Sequence, residues 1–288
     1  MGHKNKLSII GQVKERLDSK LAIGQSKHQA KINGTYQNHI YSWSTYKSYL
    51  NQSCRFVTWA KETHGCRTLD DARQYVDEYL NKSKDLSPYT QKLYAASLAK
   101  TYGCSATDFN FKSDVRHRAD ISKSRGERVR DKHFSEKNNS ELINFCKNTG
   151  LRRSELEKLK GNQLIEKNGQ YFIGVKGKGG KYREAPILNN NKDVVDRMIK
   201  AENGLVWGKV HNAADIHSYR GVYATTMYKS LARSREEIPK HDRYCCRVDL
   251  VGVWYDKKAM LEVSRALGHN RVSVIAGHYL NAIEVNND

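Results

Sequence analysis

The chain has 288 residues, a length that predicts one large or two modest domains with enough chain for a real core. Lys and Arg number 50 against 31 for Asp and Glu, and this formal net charge of +19 favours a polyanionic partner, most simply nucleic acid, over a merely solubilising surface. No apolar run approaches the roughly 20 residues of a membrane span, and the N-terminal sequence has neither the apolar core nor the cleavage site of a secretory signal.

The six cysteines are scattered and include no C-x-x-C pair, which argues against a zinc site. In a chain without a secretory signal they are best interpreted as reduced thiols of a cytosolic protein. No H-E-x-x-H sequence is present either. We therefore expect no metal and no cofactor, and a cytoplasmic location.

Helical periodicity dominates the first third of the chain. Residues 7–23 predict a short helix, and the polar residues 24–43 predict an irregular basic arm. The apolar stripe of the predicted helix comprises Ile10, Val13, Leu17 and Leu21.

Three further helices are predicted from Ser44 onward. The first ends near Gly65. The second starts at Thr68, where Asp71 completes a capping box. The third starts at Ser87-Pro88, a capping residue followed by a first-turn proline. These helices predict a small all-helical domain.

Residues 112–133 change in character, because eight Lys or Arg stand against four acids and large aliphatic residues are few. This composition is typical of a linker between domains. In so basic a protein we interpret it as a strap that contacts DNA rather than as a solvated connector.

The second part of the chain mixes helices with a β-hairpin. A helix leads to Thr149-Gly150, and RRSELEKLK predicts another directly after it. YFIGVK and KYREAPIL flank a glycine-rich turn and predict the hairpin. We therefore predict a mainly α fold with a small β-hairpin or sheet, of the α+β class. The predicted parts are an N-terminal helix and arm at 1–43, a helical domain at 44–111, a basic linker at 112–133 and a second domain at 134–288.

Short motifs in the second part suit a phosphate group, although each alone is also typical of a basic surface. TGLRRSEL places Arg152 beside a helix N-terminus. KGKGGKYRE places lysines on a hairpin tip without the spacing of a P-loop. HSYR puts His217 and Arg220 one helical turn apart, on the same face. LGHN ends a helix at Gly268 and projects His269, ten residues before Tyr279.

In this order the motifs resemble those of the tyrosine recombinases, the family of the phage-type integrases. The resemblance covers residues 135–280 by motif, and residues 44–105 more loosely as the family's helical core-binding domain. TGLR-x-SEL is the most specific match, and V-K-G-K-G-G-K-Y-R-E-A-P reproduces the family's lysine hairpin. HSYR matches the His-x-x-Arg box, with Tyr219 where Leu is commoner, and ALGH followed by HYL matches the closing box.

The resemblance implies an enzyme that cuts DNA one strand at a time without metal or nucleotide. Tyr279 would attack the scissile phosphate and form a 3′-phosphotyrosine and a free 5′-hydroxyl. Arg152 and Arg220 would neutralise charge on the non-bridging oxygens, because guanidinium groups bind them as permanently charged clamps. Lys178 would protonate the departing 5′-oxygen as a general acid.

Further residues would support this chemistry by the same resemblance. His217 would contact the phosphate and assist proton transfer from Tyr279, since a tyrosine hydroxyl is protonated at neutral pH. His269 would hydrogen-bond the phosphate, and Glu155 would steady the arginine and histidine. We also expect cations of the linker and the hairpin to contact DNA, namely Arg116, Arg118, Lys123, Arg125, Arg128, Arg130, Lys176, Lys181 and Arg183.

The function expected from the resemblance is that of a site-specific recombinase, the integrase of a mobile element. It would act on double-stranded DNA recombination sites as a homotetramer in the synaptic complex. Away from DNA the protein could be a monomer, and when bound to DNA it would be associated with the bacterial nucleoid. The resemblance leaves open whether a directionality or accessory factor takes part. Alternatives are an Xer-like chromosome or plasmid dimer resolvase and a DNA-binding regulator that has lost catalysis. A type IB topoisomerase fits the motif spacing less well, and an RNA-binding module would carry aromatic signatures that this sequence lacks.

Two stretches depart from compact members of the family. Residues 233–258 form an apparent insertion between Arg220 and His269, in which we expect a small hairpin. Nine residues follow Tyr279, which leaves open whether a C-terminal helix is exchanged between subunits.

We expect the affinity for double-stranded DNA to fall steeply with salt, because each cation that neutralises a phosphate releases a condensed counterion. Six to ten phosphate contacts correspond to a loss of about 10³- to 10⁵-fold between roughly 50 and 200 mM salt. Fluorescence anisotropy titrations at several salt concentrations measure this slope. A flat dependence would contradict the interpretation of residues 112–133 as a DNA-binding strap.

Overall fold

The computed structural model describes residues 7–117, 131, 133–177, 180–269 and 271–280. The chain divides into two compact units, Met1–Asp120 and Ile121–Asp288. The division falls inside the predicted linker 112–133, most of which lies outside the described residues. Both units are largely helical, and the second adds two small antiparallel sheets, which confirms the predicted α+β class.

The first unit is a helical bundle around a single apolar core. Its helices are α1 (Ile9–Asp18), α2 (Lys27–Ile32), α3 (Trp43–His64), α4 (Leu69–Ala72), α5 (Val76–Asn81) and α6 (Pro88–Tyr102). The long helix α3 packs against α1 and α6, and its Phe56, Val57 and Ala60 are fully buried. It ends, as predicted, at Gly65, which adopts a φ of 69°.

The predicted separation of residues 1–43 from this bundle is not seen. Val13 and Leu17 of α1 belong to the same core as Phe56, so α1 is part of the helical unit. The predicted stripe was wrong at Ile10, which is 47% exposed, while Ile9 is buried in its place. The reason is that residues 9, 13 and 17 recur at i+4 and share one helix face. The supposed irregular arm contains α2 and a short 3₁₀ helix at Tyr36–Asn38.

Local capping signals placed the other helix starts correctly. Thr68 and Asp71 form the predicted capping box at the start of α4. Ser87 accepts a hydrogen bond from the backbone N–H of Thr90 at the start of α6. The single helix predicted after Thr68 is instead α4, a 3₁₀ turn and α5, because the backbone tightens at Arg73–Tyr75.

The second unit is a helical body with two hairpins. Its helices are α7 (Ser140–Thr149), α8 (Arg153–Leu156), α9 (Lys192–Ala201), α10 (Ile216–Leu231), α11 (Lys257–Ala266) and α12 (Val272–His278). Its strands are β1 (Leu164–Lys167), β2 (Gln170–Lys176), β3 (Tyr182–Pro186), β4 (Arg243–Cys245) and β5 (Trp254–Asp256). Helix α10 lies between α7 and α11, and α11 also contacts β3 and α12. Over the part of the chain that the structure describes, no helix has both the length and the apolar character needed to cross a bilayer.

The larger sheet has the order β1-β2-β3, and all its pairs are antiparallel. The predicted hairpin is β2–β3, with Val175 opposite Arg183. Strand β1 was not predicted, although Asn168-Gly169 is the dipeptide that favours a tight hairpin turn. Both residues have positive φ, 51° and 74°, as such a turn requires.

The smaller sheet confirms that residues 233–258 contain a hairpin. Strands β4 and β5 pair antiparallel, with Tyr244 opposite Tyr255. Helix α11 begins directly after β5, so the hairpin leads into the helix that precedes His269. In contrast, the helix predicted for RRSELEKLK is only the single turn α8.

Gly150 joins α7 to α8. Its backbone lies so close to a neighbouring side chain that there is no room for a Cβ atom. It has a φ of 59°, and a Cβ built there would lie 2.3 Å from Cδ1 of Tyr223. Tyr223 is fully buried and donates a hydrogen bond to the carbonyl oxygen of Pro186 at 2.8 Å, so its ring cannot withdraw easily. Glycine is therefore required for both its conformation and its small size.

Gly150→Ala is expected to lower the free energy of unfolding by about 2–4 kcal/mol, because backbone strain adds to overpacking against Tyr223. The matched control is Gly169→Ala, where φ is 74° but nothing lies within 4 Å of the added Cβ. It should cost only about 1 kcal/mol. Urea denaturation followed by tyrosine and tryptophan fluorescence compares the two variants. Equal losses would show that Tyr223 does not restrict position 150.

Candidate active site

Separate segments of the second unit converge on one pocket of about 480 Å³. Arg152 comes from the start of α8, His217 and Arg220 from α10, and Tyr279 from the residue after α12. The residues that line it are Arg152, Arg153, Asn212, Ala214, Asp215, Ile216, His217, Arg220 and Tyr279. The structure therefore brings together residues that lie up to 127 positions apart (279 − 152).

Arg220 is the most deeply buried cation of the pocket, with 2% of its surface exposed. Its two terminal nitrogens donate hydrogen bonds to the carbonyl oxygens of Gly150 and Leu267. Its Nε donates to the hydroxyl of Tyr279 at 3.1 Å. Burial lowers the pKa of Arg220, and these acceptors compensate the cost of removing the guanidinium from water. Three contacts fix the plane of the group.

Arg152 lies beside Arg220 because both bind the same acceptor. Its Nη2 donates to the carbonyl oxygen of Leu267 at 3.1 Å, the atom that also accepts from Arg220. Its Nη1 donates to Oε1 of Glu155 at 2.8 Å, and its backbone N–H donates to Oε2 at 2.7 Å. The motif TGLR-x-SEL thus places the arginine and its carboxylate three residues apart in a capping arrangement at the start of α8.

Glu155 is shared between Arg152 and Arg183. Arg183 donates from Nη1 to Oε1 at 2.7 Å and from Nη2 to Oε2 at 2.9 Å, a bidentate pair. The side chains of Glu155 and Arg183 are 4% and 7% exposed. Burial alone would raise the pKa of Glu155, but the hydrogen bonds and charge of Arg183, with those from Arg152, lower it to about 2. Glu155 is therefore ionised at neutral pH.

The position of Arg183 corrects the prediction that it contacts DNA. It is buried, binds Glu155 with both terminal nitrogens and donates from Nε to the carbonyl oxygen of Ala266 at 2.8 Å. A sequence signal for this position was present, because residues alternate along β3 and Arg183 shares the buried face with Ala185. The alternation predicts an inward arginine, which in turn requires a buried anion such as Glu155.

Tyr279 occupies the pocket of its own chain, with 7% of its surface exposed. Its hydroxyl oxygen lies 3.1 Å from Nε of Arg220 and 3.3 Å from Nε2 of His269. Its backbone N–H donates to the carbonyl oxygen of Ile275 at 3.0 Å and so continues the hydrogen bonding of α12. The hydroxyl is thus held among the cationic and imidazole groups that the sequence motifs singled out.

His269 is the histidine in contact with the tyrosine hydroxyl. Burial, followed by the charges of Arg220, Arg152 and Arg183, lowers the pKa of His269 to about 4. The ring is therefore neutral at pH 7. Its Nε2 lies 3.5 Å from Nη2 of Arg220, and since an arginine can only donate, this geometry assigns Nε2 as an acceptor with the proton on Nδ1.

His217 forms no hydrogen bond to the Tyr279 hydroxyl within the described residues, in contrast to His269. It is exposed on the first turn of α10, and its ring centroid is 5.7 Å from that of Tyr279, the same separation as for His269. Two residues missed by the sequence analysis hold this turn. Asp215 accepts from the backbone N–H of Ser218 at 3.2 Å, and Arg153 donates to backbone carbonyls of the loop 210–214. The adjacent arginines 152 and 153 thus hold opposite sides of the pocket.

The remaining predicted cations are placed as follows. Arg116, Lys176 and Lys181 are exposed, so a polyanion could contact them. Lys178 lies outside the described residues, as do Arg118, Lys123, Arg125, Arg128 and Arg130. Gly177, the residue before Lys178, is described, and a Cβ built on it would lie 3.4 Å from Nη1 of Arg152. The base of the lysine hairpin therefore lies beside the pocket.

The pocket is suited to an anion rather than to a metal ion. Arg152 and Arg220 retain N–H groups beyond those already bound, and guanidinium groups match the oxygens of a phosphate. Within the described ranges, no group of three or more His, Cys, Asp or Glu side chains is arranged to hold a metal. A tyrosine oxygen and a neutral imidazole are also present, so a nucleophile and a proton acceptor lie beside an anion-binding site.

Comparison with known proteins supports the fold through structure alone. No protein-family model matches the chain. No curated protein matches it either. Its structure is similar to the site-specific recombinase XerH in a post-cleavage complex with a palindromic difH substrate, with a TM-score of 0.57 at 15% identity over 95% of this chain and 94% of that chain. The Tn1549 transposon integrase in complex with circular intermediate DNA gives a TM-score of 0.47 at 12% identity over 95% of both chains. The likeness to XerH confirms the tyrosine recombinase fold predicted from the motifs.

Glu155→Gln is expected to lower the free energy of unfolding at pH 7 by about 3–5 kcal/mol, because it leaves the buried Arg183 without its anionic partner. Glu184→Gln is the matched control, since Glu184 lies next to Arg183 on β3 and forms a more exposed pair with Lys167 of β1 at 2.7 Å. That variant should lose less than about 1 kcal/mol. Chemical denaturation of the three proteins gives the comparison.

The loss should also depend on pH. Folding lowers the pKa of Glu155 from 4.5 to about 2, so its ionisation favours the folded state fully above pH 4.5, and this contribution disappears as the pH falls through about 2. The difference between wild type and Glu155→Gln should therefore shrink over this window. A difference that stays constant from pH 7 to pH 2 would contradict the assignment of Glu155 as a buried carboxylate.

Proposed function

We propose that the chain is a site-specific DNA recombinase that breaks and rejoins DNA strands through a 3′-phosphotyrosine intermediate. The observation that carries the proposal is the placement of the Tyr279 hydroxyl within hydrogen-bonding distance of both Arg220 and His269, in a pocket that also contains Arg152. The fold likeness to XerH, which is described in complex with its difH substrate, supports DNA as the partner. The formal charge of +19 supports the same class of partner.

In the proposed cleavage step the Tyr279 oxygen attacks the scissile phosphorus. A new P–O bond forms to the tyrosine, and the bond to the 5′-oxygen breaks. His269 accepts the tyrosine proton at Nε2, because that nitrogen lies 3.3 Å from the hydroxyl and the ring is neutral at pH 7. This assignment moves the proton acceptor from His217 to His269, and leaves the exposed His217 to contact the phosphate.

Arg152 and Arg220 stabilise the negative charge that develops on the non-bridging oxygens. Both guanidinium groups are already fixed by backbone carbonyls and by Glu155, so little reorganisation is needed when the phosphate binds. Preorganised donors of this kind are each worth about 10²- to 10³-fold in rate in other enzymes. The reaction stores the bond energy in the phosphotyrosine, so rejoining needs no nucleotide.

Lys178 is proposed to protonate the departing 5′-oxygen. The support comes from the family resemblance and from the position of Gly177, which lies against the Arg152 guanidinium. A lysine ammonium group is suited to this role because it can give a proton to the departing oxygen. The exposed Lys176 and Lys181 flank it and are proposed to contact the DNA backbone, together with Arg116 and the cations of the linker.

The biological role proposed for this chemistry is the integration and excision of a mobile element, by a homotetramer on two DNA duplexes. An Xer-like resolvase would use the same pocket on different sites. A regulator that binds DNA without cutting it is the alternative from another class. The presence of nucleophile, cations and proton acceptor in one pocket favours the enzyme over the regulator.

We expect the protein to form a covalent complex with a nicked suicide duplex that carries its recombination site, and Tyr279→Phe to abolish that complex. The reason is that the variant lacks the oxygen that bonds to phosphorus. Denaturing gel electrophoresis of labelled DNA measures the complex, and a binding assay serves as control, since Tyr279→Phe should retain wild-type DNA affinity.

Other outcomes are equally informative. An undiminished covalent complex with Tyr279→Phe would show that another residue is the nucleophile. Sequence-specific DNA binding with no complex from the wild-type protein would favour the regulator.

A further inference from the structure

Two side-chain hydroxyls bind consecutive backbone carbonyls of the segment that carries Tyr279. Thr225 donates from Oγ1 to the carbonyl oxygen of Tyr279 at 3.2 Å. Tyr255 donates from its hydroxyl to the carbonyl oxygen of Leu280 at 3.4 Å. These carbonyls follow the end of α12, where the last helical carbonyls have no partner within the helix. The segment is therefore held from two different elements.

Thr225 belongs to the same helix as Arg220. Helix α10 thus binds Tyr279 at both ends, through Nε of Arg220 at the phenolic oxygen and through Thr225 at the backbone carbonyl. This arrangement defines where the side chain lies relative to the pocket. A hydroxyl that holds only the backbone does not touch the reacting atoms, so Thr225 acts through the placement of Tyr279.

Tyr255 belongs to the β4–β5 hairpin, the apparent insertion within residues 233–258. It is 5% exposed, and it packs in one apolar cluster with Tyr279 and Leu280. Its ring also meets Tyr228 of α10 edge to face, with centroids 5.8 Å apart. The hairpin therefore reaches from the surface into the packing around the tyrosine segment.

The hairpin is itself anchored by Asp256, the residue after Tyr255. Its carboxylate accepts from Nε and Nη2 of Arg233, both at 2.8 Å, and caps α11 by accepting from the backbone N–H of Lys258 at 2.9 Å. Its own backbone N–H donates to the hydroxyl of Tyr228 at 2.8 Å. Strand β5 thus connects the end of α10, the start of α11 and the segment after α12.

We propose that Thr225 and Tyr255 are positioning residues that hold Tyr279 in the pocket. The β4–β5 hairpin thereby sets the loaded fraction, which is the fraction of molecules in which the Tyr279 side chain lies in the pocket. The consequence for cleavage rests on the proposed function, because only a reacting tyrosine makes loading matter. The rate of attack is proportional to the loaded fraction, so a hydrogen bond present only in the loaded state raises that rate. The groups proposed to bind the phosphate contribute to the rate independently of the loaded fraction.

Three substitutions isolate the hydroxyls. Tyr255→Phe and Thr225→Val each remove one hydroxyl and preserve the shape of the side chain, and Thr225→Ser retains the donor. Tyr244→Phe is the matched control, because Tyr244 lies opposite Tyr255 in the hairpin. Its hydroxyl makes no hydrogen bond with any residue in the described part of the chain.

The first measurement is the single-turnover rate of covalent complex formation on the suicide duplex. Loss of one net hydrogen bond corresponds to a decrease of about 2- to 10-fold. We expect this decrease in Tyr255→Phe and in Thr225→Val, a larger one in the double variant, and wild-type rates in Thr225→Ser and Tyr244→Phe. DNA affinity should be unchanged in all of them.

The second measurement separates positioning from general damage. An oligonucleotide with a 3′-p-nitrophenyl phosphate mimics the phosphotyrosine, and a 5′-hydroxyl strand attacks its phosphorus. A P–O bond forms to the 5′-oxygen, p-nitrophenolate departs, and Tyr279 takes no part. We expect all variants to join this substrate at the wild-type rate, because the phosphate pocket is intact. Equal losses in joining and in cleavage would show a merely structural defect and overturn the proposal.

The third measurement does not depend on catalysis. Hydrogen–deuterium exchange at the backbone amide of Tyr279 should become faster in the double variant and remain unchanged in Tyr244→Phe, because the contacts to the carbonyls of Tyr279 and Leu280 stabilise the last turn of α12, in which this amide donates to Ile275. Unchanged exchange together with wild-type cleavage in Tyr255→Phe and Thr225→Val would overturn the proposal. Failure of the wild-type protein to cleave or join would instead overturn the proposed function, and the exchange experiment would still decide the positioning role.

Discussion

The carboxylate of Glu155 lies between the guanidinium groups of Arg152 and Arg183, and the arrangement of the second unit around the pocket depends on this interaction. Burying a carboxylate is costly unless it is paired and hydrogen-bonded. Here Oε1 accepts from both guanidinium groups, and Oε2 accepts from Arg183 and from the backbone N–H of Arg152. The pair connects β3 to α8, while Nε of Arg183 connects β3 to the end of α11. The Glu155–Arg183 pair therefore fixes β3, α8 and the end of α11 relative to one another.

The ends of two helices solve a second electrostatic problem, the accumulation of buried positive charge. Arg152, Arg183 and Arg220 repel one another, yet their donors converge on the carbonyl oxygens of Gly150, Ala266 and Leu267. These carbonyls terminate α7 and α11, where unsatisfied C=O groups and the negative end of the helix dipole favour cations. Burial and the positive charges of these arginines lower the pKa of His269 to about 4, so its ring stays neutral at pH 7. A neutral imidazole beside a tyrosine hydroxyl can accept a proton, whereas a charged one cannot.

The apparent insertion has a place in this arrangement that its position in the chain does not reveal. Its strand β5 supplies Tyr255 to the tyrosine segment and Asp256 to the N-terminus of α11. Helix α10 supplies Arg220 and Thr225 to the two ends of Tyr279. In the proposed mechanism, chemistry and positioning are therefore assigned to different atoms: the charges would act on the phosphate, and the hydroxyls would hold the backbone that carries Tyr279. A hairpin remote from the phosphate could then affect the proposed reaction without altering the affinity for DNA.

Local patterns in the sequence were enough to predict the features that depend on neighbouring residues. Helix starts at Thr68 and Ser87, the helix end at Gly65, the β2–β3 hairpin and the motif around Arg152 follow from capping and turn chemistry, which acts over a few positions. The resemblance to the family motifs predicted, in addition, that Arg220 and Tyr279 lie in the same pocket. Three contacts require the tertiary structure: the pairing of Arg183 with Glu155, the contact of His269 rather than His217 with the tyrosine hydroxyl, and the contact of Tyr255 with Leu280. The alternation along β3 indicates that Arg183 points inward, but it does not identify its partner. These pairs lie 28, 10 and 25 positions apart, and they are selected by the burial of charge and by packing.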